Sequence, residues 1–249
     1  MGLVLRGDAG VDRIDQYLET SNARATARGG AVAAAAAARL GVFLAAIAVA
    51  RTAFVAAKSA LVVAFSDWFA AERAAFVGVG AIYGAMRTAL GRPARHPALQ
   101  AFLPDGLRTM TDAGRSAKPA LLQFIANQLA SVSAPPWSDA QRSGWAAEIE
   151  ALRLPLAAAV AAADTAKAAY HMAVGTYGAQ AREGLRALVQ LKRDLRYMGL
   201  TEVEVTEIIP HALRTPSSDS GAAVDVDTAP AVLPAVTSGA AGSSPPAGS

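Results

Sequence analysis

Three histidines and no cysteine leave this 249-residue chain few ways to make or break bonds. Disulfides, thiolate nucleophiles and Cys-ligated metals are excluded. His96 lies in a Pro-rich stretch beside Arg95, and His211 follows Pro210. His171 alone has company: Asp164, Lys167 and His171 share a helical face at spacings of three and four. A carboxylate there could orient an imidazole as a general base. No nucleophile elbow or matched second carboxylate accompanies it, so the trio reads first as a solvated polar stripe. No Glu precedes a histidine by three residues, as a helical di-iron site requires. Asp12, Asp15 and Glu19 could hold a hard cation weakly, but a solvent-exposed helix face is the simpler reading. There is no Walker A sequence, and Gly78-x-Gly80 with Gly84 is out of register for a dinucleotide loop. No cofactor and no metal is expected.

The strongest polar pattern is basic. Arg182, Arg186 and Arg193 fall within about 40° on one helical face, with Arg196 nearby and Lys192 at the edge. Leu185, Leu188, Leu191 and Leu195 lie broadly opposite. Such a stripe (182–196) can meet phosphates or an acidic partner. The plainer reading is a solvated face whose cations suit a helix C-terminus. No helix-turn-helix signature or aromatic stacking platform points to nucleic acid. Arg182, Arg186, Arg193 and Arg196 are the candidate interaction residues.

The elements that must carry these residues are helical. Sixty-two residues are Ala, the best helix former, and aromatic residues make up only 6%. The fold expected is all-α: an elongated, Ala-rich bundle of about four to six helices over residues 1–214. The tail, 215–249, is rich in Pro, Ser, Gly and Ala, has no Lys or Arg, and carries three acids. It cannot bury enough surface to offset its ordering entropy, so disorder is expected there. The formal charge is +3, and without the tail's three acids the body carries +6, spread along the chain. That excess alone does not imply nucleic acid.

A first helix is expected from Asp8 to about Arg28, ended by Gly29-Gly30. Residues 31–90 are helical in propensity throughout. Unbroken, they would extend about 90 Å. Either the protein is a rod or the helix breaks, with Ser66-Asp67 as one place for a new helix to start and Gly78, Gly80 and Gly84 as a second weak point. Gly91–Gly106 reads as a loop, with a helical turn at 107–114 and a helix from Ser116-x-x-Pro119 to about Ser131. Ser138 and Gln141 form a capping-box pattern that opens a helix towards Tyr197, with Pro155 expected to kink or split it and Gly199 to stop it. Trp137 and Trp145 are placed to anchor that helix, and Trp68 to lie in the core. Thr201 and Glu204 suggest a short last helix, although Glu202–Val205 also alternates like a strand.

Residues 31–65 are almost wholly apolar, interrupted by Arg39, Arg51 and Lys58. An Arg at mid-membrane costs roughly 2.5–3.5 kcal/mol, and Ala repays little of that. The cations suit the water-facing side of a bundle helix. A non-catalytic structural or interaction protein is therefore expected, with a protein partner and room for self-association. A membrane-active helix inserting through 31–65 is the alternative, and an anionic-polymer or nucleic-acid binder using 182–196 the next. The first fifteen residues carry three acids and no apolar core, unlike a secretory signal. A cytoplasmic location is expected.

Overall fold

The computed structural model describes residues 10–92, 96–131 and 136–210. The chain divides into two units after Ala212. The expected boundary at 214, the tail at 215–249 and His211 lie outside the described residues. The described part is all-α, with no strand among the described residues. Seven helices follow in order: α1 (Val11–Arg28), α2 (Gly30–Ala89), α3 (Pro97–Gln100), α4 (Arg108–Asp112), α5 (Lys118–Ser131), α6 (Asp139–Tyr197) and α7 (Glu202–Ile208), with a 3₁₀ turn at Arg115–Ala117 before α5.

The punctuation is local. Gly29 and Gly30 both take positive φ (73° and 55°), so only one residue separates α1 from α2. Ser138 caps α6 through a complete capping box with Gln141, and Thr201 caps α7 in the same way with Glu204. Residues 202–208 are therefore helix rather than strand. Gly199, at φ 85°, ends the long helix. His96 is the N-cap of α3, its Nδ1 accepting from the Ala98 N–H at 3.2 Å.

Both long helices are continuous across the weak points their sequences mark, so α2 takes the rod alternative and Pro155 does not split α6. Helix α2 runs 60 residues unbroken past Ser66-Asp67 and all three glycines, and α6 runs 59 residues through Pro155. Packing against each other explains both. Along α2 a seam of residues spaced alternately four and three apart stays buried or half-buried: Ala36, Leu40, Phe43, Ile47, Ala50, Phe54, Ala57, Leu61, Ala64, Trp68, Ala71, Ala75, Gly78, Ile82. On a straight helix such a repeat would drift by about 20° per heptad. That it stays inward over more than six heptads is the mark of coiled-coil pairing. Helix α6 matches it with Leu156, Val160, Ala163, Tyr177, Ala181, Gly184, Leu188, Leu191 and Leu195. The two run antiparallel: Arg39 meets Asp194, Phe54 meets Tyr170, and Gly78 faces Leu152.

Two apolar cores sit at opposite ends of this pair. The first gathers α1, the first part of α2, the last part of α6, and α7 around Leu18, Leu40, Ile47, Leu188 and Val205. The second gathers the rest of α2 with α3, α4, α5 and the start of α6 around Ile82, Phe102, Leu122, Trp137 and Leu156. Trp137 is buried and donates its indole N–H to the Met86 carbonyl at 3.3 Å. Trp68 and Trp145 are half-buried against the same core. Between the cores lies a neck. No α2 residue from 51 to 74 is fully buried, and none of α6 from 164 to 176.

Candidate interaction surface

The three cations of the early apolar tract do lie on the outside. Lys58 is exposed. Arg39 donates from Nε to Asp194 Oδ2 at 2.6 Å, and that hydrogen bond and charge hold its guanidinium pKa above the usual value. Arg51 donates from Nη1 to Asp15 Oδ2 at 3.0 Å and to Glu19 Oε1 at 3.3 Å. The Asp15 charge, then that of Glu19, raises its pKa.

That arrangement corrects the reading of the acidic triplet as a solvent face. Asp15 is buried at 3% exposure. Its carboxylate also accepts from the Tyr177 hydroxyl at 2.9 Å, and Asp12 Oδ1 lies 3.1 Å from the same hydroxyl. Burial first, and then the Asp15 bond, push the Tyr177 phenol well above its ordinary range. A proton held that firmly is structural. The cluster ties α1 to α2 and α6, with Phe54 stacked on Tyr177 at 5.8 Å.

The suggested base has lost its carboxylate. Asp164 pairs with Arg115 of the 3₁₀ turn, not with the His171 ring. Arg115 also lies over Phe65 and Trp68, at 5.4 and 5.3 Å from their centroids. His171 is exposed, with its ring against Tyr170. The four arginines of the basic stripe are all exposed on α6. Three have neighbours within reach: Arg186 pairs with Glu183, Arg193 reaches Gln190 at 3.5 Å, and Arg196 meets Glu202 at 2.7 Å. The bond to Glu202 raises the Arg196 pKa. Lys192 is buried rather than at the stripe's edge, its Nζ 3.7 Å from Glu202.

The most unusual surface is one the sequence reading did not single out. Of fifteen exposed large apolar residues among the described residues, eight belong to α2: Val42, Val49, Val55, Val62, Val63, Phe69, Phe76 and Val77, at 42–75% exposure. They fall in two columns of seven-residue period, about 100° apart around the helix. One is Val42, Val49, Ala56, Val63, Ala70, Val77, and the other Val55, Val62, Phe69, Phe76. Between the two columns run Thr52, Ser59, Ser66 and Arg73, all exposed. The face opens at one end onto a cleft of about 570 Å³ lined by Phe69, Glu72, Arg73, Phe76, Met110, Thr111, Lys118 and Leu156. Lys118 and Glu72 pair on its wall. The signal was present in the sequence as a second seven-residue pattern, masked by the alanine background.

Helix α2 is also the one helix among the described residues that is long and apolar enough to cross a membrane, and only 22% of its most apolar window is buried. Comparison of the chain with protein-family models, with curated proteins and with solved structures gives no match.

Proposed function

We propose that this is a non-catalytic interaction protein, a helical scaffold that presents the outward face of α2 to a partner. One observation carries the reading: α2 keeps its apolar columns on the solvent side of a fold that does not need them there. The equivalent outward columns of α6 are Leu154, Ala161, Ala168, Gly175, Arg182 and Pro155, Ala162, Ala169, Thr176, Glu183, mostly small or polar. The pairing of the two helices therefore makes no demand for valine outside. Monomeric soluble proteins rarely leave more than about 300–600 Å² of contiguous apolar surface open unless it binds something.

The remaining chemistry supports the same reading. Asp15, Tyr177, Asp164 and Arg115 are all engaged in ties between helices. In-cell photo-crosslinking tests the proposal. A photoreactive residue at Val49 or Val63 should capture protein, whereas one at Met172 on α6, exposed to 74%, should capture far less. Equal capture at all three, or capture of lipid alone from α2, refutes it.

A further inference from the structure

We propose that the partner on this face is a second copy of the same chain, with the two α2 helices packed antiparallel about a two-fold axis near Ser59. The inference rests on the scaffold reading above and names the partner.

The area is sufficient. Eight side chains at roughly 60% mean exposure, with about 100 Å² of apolar area each, expose on the order of 500 Å² of apolar surface. A standard interface takes about 800 Å² from each partner, and the alanines of the same face make up the difference. An isologous contact sets one patch against itself, so no second complementary surface is required.

The periodicity favours a helix over a bilayer. Both outward columns keep a strict seven-residue spacing, one from 42 to 77 and the other from 55 to 76. Because the inner seam winds α2 around α6, a column of that period winds too. At a pitch of about 150 Å, it turns through more than 90° along a 50 Å face. A flat membrane meets only part of such a face, whereas a helix coiling with it stays in contact throughout. The composition agrees. Interfacial membrane helices carry Trp, Phe and Leu with a Lys/Arg rim. Here valine, alanine, serine and threonine dominate, and such small side chains let helix backbones approach closely.

Direction and register follow from shape and charge. A parallel pair would stack Asp67 on Asp67 and Arg73 on Arg73, both exposed on this side, and like charges opposed across an interface are costly. Antiparallel packing separates them. The face runs from Val42 to Val77, so its midpoint is at 59–60, where the outward residues Ala56, Ser59 and Ala60 are all small. That register sets the Val42–Val49 end of one copy against the Phe69–Val77 end of the other. It also lays neck on neck, covering α2 where its own fold buries nothing fully.

The chain has no cysteine, so single substitutions report the geometry directly. Light scattering of the full chain without detergent should give twice 25.4 kDa. The V49E/V63E variant should give the monomer mass with unchanged helical circular dichroism. Under mild oxidation Ser59→Cys alone should cross-link. Val42→Cys and Val77→Cys should not cross-link separately but should do so when mixed, as disulfides need Cα atoms within about 7 Å. A monomeric wild-type chain overturns the proposal, and flotation of that monomer with anionic vesicles would assign the face to a membrane instead. A dimer in which Val42→Cys cross-links to itself overturns the antiparallel register. If the purified chain is monomeric while Val49 and Val63 still capture another protein in cells, the homodimer fails and the scaffold reading stands.

Discussion

Replacing Asp15 by Asn removes one negative charge from the place where α1, α2 and α6 meet, at nearly constant volume. The carboxylate accepts from Arg51 at 3.0 Å and from Tyr177 at 2.9 Å. Hydrogen bonds to charged groups contribute about 1.5–3 kcal/mol each. The amide oxygen can still accept from one donor, so one bond is lost outright and the other weakened. Stranding a buried ion ordinarily costs about 3–5 kcal/mol, but Arg51 is half-exposed and keeps Glu19. Tyr177 likewise keeps Asp12. The expected cost of Asp15→Asn is therefore about 2 kcal/mol. Tyr177→Phe should cost about 1 kcal/mol, and the double variant should fall short of the sum by roughly 1 kcal/mol, because the two share a bond.

Urea unfolding measures this, and the position of the tryptophans sharpens it. Trp68, Trp137 and Trp145 all belong to the second core, so fluorescence reports that end, while far-UV circular dichroism reports both long helices. Asp15→Asn should move the dichroism midpoint more than the fluorescence midpoint. A change below about 0.5 kcal/mol by dichroism, or exact additivity with Tyr177→Phe, would refute the reasoning that this buried carboxylate ties three helices together.

Further outcomes follow from the same structure. A Cβ on Gly184 would sit 2.5 Å from Leu18 Cδ1 and 3.2 Å from Ile47 Cδ1, both fully buried, so Gly184→Ala should lower stability by about 1–3 kcal/mol in urea titrations. At Gly78 the obstruction is the half-buried, flexible end of Leu152, which can swing aside. Gly78→Ala should be near neutral or gain up to about 1 kcal/mol from helix propensity. The Thr201 N–H, then its hydroxyl, then Arg28 hold the Glu204 carboxyl below its ordinary value. Its contribution is thus present above about pH 4.3 and lost as pH falls through the lower folded-state value. Thr201→Ala should cost about 1 kcal/mol at neutral pH and flatten the acid limb of a Tm–pH profile. Tyr17, whose hydroxyl donates to the Pro210 carbonyl at 2.6 Å, is pushed up to about 12 by burial. Stability should therefore hold below about pH 10 and fall as pH rises towards 12, less steeply in Tyr17→Phe.

What could be read from the sequence was what neighbours in the chain decide. The Ser138–Gln141 and Thr201–Glu204 boxes close over three residues, and Gly29, Gly30 and Gly199 take backbone angles that side chains resist. Each is complete within one turn, so each was legible. Whether α2 continues past Gly78–Gly84 and α6 past Pro155 depends instead on what lies opposite. Gly78 accommodates Leu152 of α6, and Pro155 lies on the exposed side of α6, beside buried Leu156. Asp15 was placed in water because its partners lie 36 and 162 residues away. Asp164 was assigned to His171 by spacing, whereas Arg115, 49 residues distant, reaches it first.

The two seams of α2 show why the interaction surface was harder to read than the fold. In an alanine-rich helix the inward seam differs from its surroundings mainly through Leu40, Ile47, Phe54, Leu61 and Trp68, one large residue every seventh position, with Phe43 and Ile82 besides. The outward columns use the same period with valine and phenylalanine. A hydrophobic pattern summed around such a helix nearly cancels, because apolar residues lie on opposite sides. Amphipathicity, the usual signal of which face is buried, is therefore weakest where apolar residues line both faces. Only the positions of Arg39, Arg51 and Lys58 mark the sides, and the first two are drawn inward to Asp194 and Asp15. A helix with Arg39, Arg51 and Lys58 on its flanks and apolar columns front and back has the pattern of a middle layer. Helix α6 supplies one neighbour, and the other side of α2 remains open to a second.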